Sequence, residues 1–254
     1  MAEPVLRTES LRRQFGGLAA VKSVSLECHA GRVHAVIGPN GAGKTTLINL
    51  LSGELAPSAG RIEILGRDVT GLAAHRISQL GVGRSYQRTN IFMSFTAFEN
   101  CRLAAQSRLP SSMRFLRPAA GYREVNVAAE RALDLCELGL QKNSMAAALS
   151  HGERRQLELA MTLATRPRVL LLDEPLAGMG AEESARMVEL LRKLAPQHGM
   201  LLVEHDMDAV FALADTLTVM VDGAVLASGT PAAVRANDEV QKAYLGEAGE
   251  MSDD

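Results

Sequence analysis

The residues with the clearest chemical signal are Gly38–Thr45, whose sequence GPNGAGKT fits the pattern G-x-x-x-x-G-K-[ST]. They follow an apolar run, Val33–Ile37, and overlap a helical pattern that begins at Lys44. Such glycines let backbone N–H groups close around phosphate oxygens, while the lysine adds positive charge and the last hydroxyl suits Mg²⁺. A chance lysine in a glycine-rich turn is the alternative, but the strand–loop–helix order favours phosphate binding. The predicted contact residues are Gly38, Asn40, Gly41, Ala42, Gly43, Lys44, Thr45 and Thr46.

Two carboxylates follow a second apolar run. Val169–Leu172 is succeeded by Asp173, Glu174 and Pro175. Ligands of open α/β sheets bind at the carboxyl ends of the strands, where these side chains would emerge. We predict that Asp173 serves the Mg²⁺ shell and that Glu174 orients or deprotonates the attacking water. A solvated acidic strand end before a turn is the simpler alternative.

Three further residues are candidates for the site, and none of them is specific when it is considered alone. Gln87 is suited to touch both Mg²⁺ and the attacking water, and His205, after the apolar run Met200–Val203, is suited to contact the γ-phosphate. Phe15, upstream of the phosphate loop, is suited to stack on adenine. The alternatives are that Gln87 is a surface residue, that His205 has a structural role and that Phe15 belongs to the core. Their order along the chain favours the functional interpretation.

The stretch Leu149–Glu153 has the pattern of a helix start. Ser150 can cap free backbone N–H groups, and Glu153 can complete a capping box three residues later. The stretch lies between the phosphate loop and the acidic strand end. That order predicts a second phosphate-contacting surface at Ser150 and Gly152, one that a single copy cannot use on its own nucleotide.

Strand patterns alternate with helical patterns along the chain, which predicts an α/β fold that positions these residues. Two strand-like stretches flank the turn Gly16-Gly17, the segment Ala97–Leu163 is mostly helical in pattern around a loop at Leu109–Gly121, and Asp222-Gly223 is a hairpin signal. The other predicted elements are strands at Val5–Ser10, Ala20–Leu26, Arg61–Leu65, Thr216–Val221 and Ala224–Ala227, and helices at Lys44–Leu51, Glu182–Leu194, Met207–Leu213 and Asp238–Leu245.

Composition narrows the class of protein. The 254 residues are 47% hydrophobic and 22% charged, which is typical of a globular chain. The net charge of −2 gives no electrostatic case for nucleic acid. Cys28, Cys101 and Cys136 lack metal spacing and are expected to be free thiols. We expect no signal peptide and no membrane span, so that any membrane role would act through a partner.

The order of all these motifs resembles that of the ATP-binding-cassette ATPases over nearly the whole chain. The resemblance implies a P-loop NTPase core with a mixed β-sheet, an N-terminal antiparallel β subdomain and an inserted α-helical subdomain. It implies one domain over residues 1–250, with the core at 1–88 and 166–250, the helical subdomain at 89–165, and an acidic tail at 251–254. It also implies a head-to-tail dimer in which each of two ATPs lies between one subunit's phosphate loop and the other's Ser150 and Gly152.

Finer features resemble the ATPase subunits of branched-chain (hydrophobic) amino acid importers. They are Phe15–Ala20, Val203–Met207, Gly229–Pro231 and Ala243–Gly246. The resemblance implies two permease subunits, a second ATPase subunit of the same or a related chain, a solute-binding protein, and a place at the cytoplasmic face of the inner membrane. Relatives of that group import urea and short-chain amides. An export ATPase of the lipopolysaccharide type and a soluble, non-transport cassette ATPase are the alternatives.

Some positions depart from the commonest family pattern. Glycine and glutamine usually stand where this chain has His151 and Glu153, a variation that fits the importer branch. Gly180 replaces an aspartate in the loop that crosses the dimer, so communication there is expected to use backbone contacts. The segment Asn90–Asn100 corresponds to the permease-docking region. Its apolar residues suit such a surface, with ordinary packing of the helical insert as the alternative.

Overall fold

The computed structural model describes residues 3–86, 90–109 and 121–242. Within them an antiparallel sheet comes first in the chain. Its strands are β1 (Pro4–Phe15), β2 (Leu18–His29), β4 (Ala59–Ile64) and β5 (Arg67–Asp68), in the spatial order β2-β1-β4-β5. The turn Gly16-Gly17 joins β1 to β2, whose register begins with the pair Phe15 and Leu18.

The second sheet is mixed and has six strands. They are β3 (Val33–Ile37), β6 (Val82–Arg84), β7 (Val169–Asp173), β8 (Gly199–Val203), β9 (Thr216–Val221) and β10 (Ala224–Gly229), in the order β10-β9-β3-β8-β7-β6. All neighbouring pairs are parallel except β9 and β10. That hairpin turns at Asp222 and Gly223, which both have positive φ angles, as a type I′ turn requires.

Eight helices with defined bounds lie in the described residues. They are α1 (Lys44–Leu51), α2 (Ala74–Gln79), α3 (Ala97–Gln106), α4 (Arg123–Leu135), α5 (His151–Ala164), α6 (Ala181–Leu194), α7 (Met207–Leu213) and α8 (Pro231–Arg235). Short 3₁₀ turns occur at Ala146–Ala148 and Ala195–Gln197, and residues 238–242 are helical.

Apolar side chains cover both faces of the six-stranded sheet. In β7, Leu170 and Leu172 face a core shared with α3–α6, whereas Val169 and Leu171 face a core shared with α1 and the antiparallel sheet. This alternation follows from the two-residue period of a strand. Because both faces are covered, the strands consist mainly of apolar residues. The buried polar side chains of His34 in β3 and Thr218 in β9 are paired with each other, with 2.8 Å between Nε2 and Oγ1.

The structure confirms the α/β class and the bounds predicted for β3, α1, α7 and β9. The strands β1 and β2 are longer than the expected Val5–Ser10 and Ala20–Leu26. The predicted strand end at Leu65 is wrong, because Leu65 has φ +52° and starts the turn into Gly66. The three cysteines are free and buried, as expected. Most of the loop predicted at Leu109–Gly121, the predicted end of the last helix at Leu245 and the acidic tail at 251–254 lie outside the described residues.

Candidate nucleotide site

Three parallel strands bring the predicted site residues to one edge of the mixed sheet. Val36 of β3 pairs with Val203 of β8, and Val203 also pairs with Asp173 at the end of β7. Because these strands run in the same direction, their carboxyl ends lie together. The phosphate loop after β3, the carboxylates at the end of β7 and the segment after β8 therefore share that edge, as the sequence predicts.

The phosphate loop needs glycine at two positions for steric reasons. Gly43 precedes α1 with φ +93°, and a Cβ there would lie 2.3 Å from the carbonyl oxygen of Ala20. A Cβ on Gly38 would lie 2.1 Å from the carbonyl oxygen of Met220. The loop is thus wedged against β2 and β9, and its N–H groups and the start of α1 form an anion-binding end.

The Lys44 ammonium lies over the loop itself. It donates hydrogen bonds to the carbonyl oxygens of Gly38 (2.5 Å) and Pro39 (2.9 Å). A cleft of about 500 Å³ opens beside it. Among the predicted residues, this cleft is lined by Phe15, Asn40, Gly41, Gly43, Lys44, Thr45, Thr46 and Glu174. Of the other two predicted contact residues, Ala42 lies within the loop and is buried, and Gly38 is the first residue of the loop.

The cleft has a second wall that sequence reasoning missed. Lys22 of β2 and the turn residues Asp222 and Gly223 also line it. The Lys22 N–H donates to the carbonyl oxygen of Gly223 at 2.6 Å, which joins the two sheets at this point. The hairpin signal at Asp222-Gly223 was visible in the sequence, but its proximity to the phosphate loop depends on the pairing of β9 with β3.

Phe15 stands at the mouth of the cleft with 42% of its surface exposed. The Arg13 guanidinium carbon lies 4.5 Å from the centre of its ring. Arg13 lines a neighbouring groove and does not line this cleft. An exposed aromatic ring in contact with a cation suits stacking on a planar base.

Asp173 and Glu174 differ sharply in their surroundings. Asp173 is buried, and its Oδ1 has no hydrogen-bond partner among the described residues. Burial raises the pKa of Asp173, although the Arg84 guanidinium and the Lys44 ammonium oppose that shift. Glu174 lines the cleft with φ +49°, in the left-handed backbone region that only a small fraction of non-glycine residues adopt. Its N–H donates to the carbonyl oxygen of Val203 at 2.9 Å.

A buried arginine beside Asp173 is another residue that sequence reasoning missed. Arg84 ends β6, and its Nη2 lies 3.7 Å from Oδ2 of Asp173. Its Nη1 lies 3.2 Å from Oε2 of Glu54. No local pattern could have identified it, because its partners come from distant parts of the chain.

The predicted capping box at the start of α5 is confirmed. The Glu153 N–H donates to Oγ of Ser150 at 3.2 Å, and the Ser150 N–H donates to Oε2 of Glu153 at 2.8 Å. A Cβ on Gly152 would lie 2.6 Å from Oε1 of Glu183 on α6, so a larger residue there would have to displace the Glu183 carboxylate. Neither Ser150 nor Gly152 lines the cleft at the phosphate loop; both line a small separate cleft.

His205 lies after β8, and its side chain is 65% exposed. Its Nδ1 is 3.7 Å from Oε2 of Glu204, a buried residue that accepts hydrogen bonds from the N–H groups of Leu176 (2.9 Å) and His205 (3.1 Å). Burial raises the pKa of Glu204. His205 shares the edge of the site but does not line the cleft. Gln87 lies outside the described residues.

The segment before α3 presents two environments. Ile91 packs against the core, whereas Phe92, Met93 and Phe95 are exposed, with the rings of Phe92 and Phe95 stacked at 5.3 Å. The buried Asn100 holds this segment, since its Oδ1 accepts from the Phe92 N–H at 2.8 Å and its Nδ2 donates to the Phe92 carbonyl at 3.0 Å. The two stacked rings and Met93 thus form a small exposed apolar patch before α3.

Two family models match the sequence. The model described as "ABC transporter" covers residues 21–177, and the one described as "Branched-chain amino acid ATP-binding cassette transporter" covers residues 224–250. The first spans the phosphate loop, the capped helix α5 and the carboxylates, whereas the second begins at β10.

Curated relatives match at full length. The chain is 40% identical to the high-affinity branched-chain amino acid transport ATP-binding protein BraF of Pseudomonas aeruginosa, over 98% of this chain and 100% of the relative. It is 38% identical to the corresponding protein LivG of Escherichia coli K12, with the same coverage.

Solved structures match as well. A nucleotide-free ATP-binding cassette from an ABC transporter superposes with a TM-score of 0.85 at 27% identity, covering 95% of this chain and 99% of the other. The ADP conformation of the cassette MJ1267 also has a TM-score of 0.85 at 27% identity, with 96% and 100% covered.

Proposed function

The chain belongs to the ABC transporter ATPase family, and we propose that it powers an importer of branched-chain amino acids or related small polar solutes such as urea and amides. As a member of that family it is an ATP hydrolase. The observation that carries the solute class is the match to BraF along its entire length, together with the importer-specific model at residues 224–250.

In the proposed reaction, ATP lies along the cleft with its phosphates at the loop. The Lys44 ammonium exchanges its contacts with the loop carbonyls for phosphate oxygens, which are stronger, charged acceptors. Phe15 stacks on the adenine ring. Glu174 accepts a proton from the attacking water or orients it, a role that suits a carboxylate at the cleft wall. His205 approaches the γ-phosphate, and Gln87 the water.

The residues present fit Mg²⁺. The buried Oδ1 of Asp173 without a partner in the described part of the chain and the hydroxyl of Thr45 are hard oxygen donors. In the described ranges, no group of three or more histidine, cysteine, aspartate or glutamate side chains is placed to hold a metal ion. Bound Mg²⁺ neutralises charge on the phosphate oxygens. Thr45, Asp173 and Gln87 are the residues proposed to hold it.

A second copy, or a related ATPase chain, completes each site in the proposed assembly. Ser150 and Gly152 lie away from the chain's own phosphate loop, so they are free to serve a nucleotide held by another subunit. The N-terminus of α5 is capped and would present N–H groups to that phosphate. ATP binding would then bring two subunits together, and hydrolysis would separate them.

Two permease subunits are the proposed membrane partners. No helix in the ranges that the structure describes is long and apolar enough to cross a bilayer. The exposed aromatic pair Phe92 and Phe95 gives the chain an apolar surface suited to a permease helix. Through such partners the chain would lie at the cytoplasmic face of the inner membrane, and a solute-binding protein would deliver the solute.

The proposal is tested by deleting the gene and measuring initial rates of uptake of radiolabelled leucine, isoleucine, valine and urea. We expect uptake of one of these solutes to fall to background and to return with the wild-type gene. A strain that expresses the Lys44→Ala chain is the matched control, and it should remain at background. Unchanged uptake of all four solutes, with a tagged chain that copurifies no membrane subunit, would contradict the proposal.

A further inference from the structure

Arg84 is a buried cation at the junction between β6 and the segment that leads to Gln87. Its side chain is only 9% exposed. Its Nη1 donates to Oγ of Ser52 at 2.7 Å, and its Nη2 donates to Oδ1 of Asn49 at 2.7 Å. Both acceptors lie at the end of α1, the helix that starts at the phosphate loop. These two hydrogen bonds fix the plane of the guanidinium.

The same guanidinium reaches two carboxylates. Glu54 lies 3.2 Å from Nη1, and Asp173 lies 3.7 Å from Nη2. The Asp173 side chain is 2% exposed, and a carboxylate so deeply buried is strongly destabilised without a cation beside it. Arg84 approaches Oδ2 of Asp173, while Oδ1 has no hydrogen-bond partner in the described residues. The two oxygens of Asp173 therefore have different surroundings.

Arg84 also contacts the segment before Gln87. Its guanidinium carbon lies 4.8 Å from the centre of the Tyr86 ring. The Tyr86 N–H donates to Oε1 of Glu158 on α5 at 3.0 Å, and the Asp173 N–H donates to Oγ of Ser85 at 3.4 Å. One side chain thus connects α1, the end of β7 and the residue immediately before Gln87.

We propose that Arg84 is a positioning residue for ATP hydrolysis: it orients Asp173 so that Oδ1 faces the proposed metal, and it links that carboxylate to the segment before Gln87. The inference deepens the proposed function, because it rests on the Mg²⁺ role given there to Asp173. Arginine is suited to this position because its planar fork addresses several acceptors at once. Lysine offers a single charged point and cannot serve them all.

The role is tested on the full-length chain with a non-hydrolysable ATP analogue, adenylyl imidodiphosphate, titrated by calorimetry at increasing Mg²⁺ and in EDTA. Mg²⁺ is expected to increase the affinity for the analogue, and the Mg²⁺ concentration at half of that increase measures the Mg²⁺ requirement. For Arg84→Lys and Arg84→Met we expect this concentration to rise on the order of 10-fold, as is usual when a metal ligand loses its supporting contact. The affinity in EDTA should stay at the wild-type value. Asn49→Ala, which keeps the charge but removes one of the two hydrogen bonds that fix the guanidinium, should shift the Mg²⁺ requirement in the same direction and keeps the test available if Arg84→Met does not fold.

Arg108→Met provides the matched control. Arg108 is a partly buried arginine that donates to the Ser78 carbonyl at 2.5 Å. This hydrogen bond joins the segment after α3 to α2, and neither element carries a proposed metal ligand. Replacement of Arg108 should leave the Mg²⁺ requirement unchanged. Arg84 variants that retain the wild-type Mg²⁺ requirement, or that lose affinity equally with and without Mg²⁺, would overturn the inference. If the affinity of the wild-type chain for the analogue did not depend on Mg²⁺, that result would overturn the proposed metal role and, with it, the inference.

Discussion

Nε2 of His151 lies 3.3 Å from the carbonyl oxygen of Ala177, so the first residue of α5 contacts the loop that follows Glu174. The Ala177 N–H in turn donates to the carbonyl oxygen of Glu174 at 3.1 Å. Glycine at 178, with φ +77°, makes room for the ring, because a Cβ there would lie 3.0 Å from Nε2. His151, one of the two residues that depart from the commonest family signature, therefore contacts the loop that follows Glu174, the proposed base.

Removing this contact should slow hydrolysis without preventing ATP binding. His151→Phe keeps a ring but loses the nitrogen, and a hydrogen bond of this kind contributes about 1 kcal/mol, or roughly fivefold in rate if it acts in the transition state. We expect kcat to fall by up to that factor, measured at saturating ATP. His75→Phe, at an exposed position of α2, is the control and should have wild-type kcat. Equal rates for His151→Phe and wild type would remove the contact from the mechanism.

Replacing Lys44 should weaken nucleotide binding. The ammonium would make charge-assisted bonds to phosphate, each of which contributes about 1.5–3 kcal/mol. Lys44→Ala is therefore expected to raise the Kd for ATP on the order of 10- to 100-fold, measured by equilibrium titration. Lys22→Ala removes an exposed lysine that lines the same cleft and should change Kd far less. Similar losses for the two variants would indicate a general electrostatic effect and not a specific contact.

Gly43→Ala should destabilise the fold as well as the site. The added Cβ would lie 2.3 Å from the carbonyl oxygen of Ala20, and the residue has φ +93°. The backbone region alone costs about 1–2 kcal/mol, so we expect the free energy of unfolding to fall by at least about 2 kcal/mol in urea titrations. Gly17→Ala, whose Cβ would have open space, should stay within about 0.5 kcal/mol of wild type. A stable Gly43→Ala chain would show that the loop is not wedged against β2.

The stability of the chain should carry a pH dependence from Glu204. Burial raises the pKa of this carboxyl above its ordinary value of 4.5, although His205 and the backbone donors act in the opposite direction. A raised pKa means that the folded state binds the proton more tightly than the unfolded state. The contribution of Glu204 to stability is therefore fully present below pH 4.5 and is lost as the pH rises through the folded value.

Comparison with Glu204→Gln isolates this contribution. The free energy of unfolding of wild type, relative to the variant, should decrease as the pH rises above about 4.5, with a slope of up to about 1.4 kcal/mol per pH unit. Urea titrations from pH 4 to pH 8 measure it. A difference that is constant or that grows with pH would contradict the assigned direction of the pKa shift.

Local patterns predicted much of the fold and of the site. The bounds of α1 and β3 follow from a glycine-rich boundary and a short, mostly apolar run, and the cap at Ser150 follows from the spacing to Glu153. The strand β6 has only three residues, too few to show a period. Arg84 could not be predicted as part of the site, because its contacts with Asn49 and Asp173 bridge segments far apart in the chain.

The most direct test of the account is the steady-state rate of ATP hydrolysis by Glu174→Gln, measured beside its ATP affinity. The amide keeps the shape of the side chain but cannot accept the proton, and the loss of a general base typically costs about 10²- to 10⁴-fold in rate. We predict a wild-type Kd for ATP with kcat reduced by about that factor. Hydrolysis at a near-normal rate would contradict the assignment of Glu174 as the base and, with it, the proposed arrangement of the site.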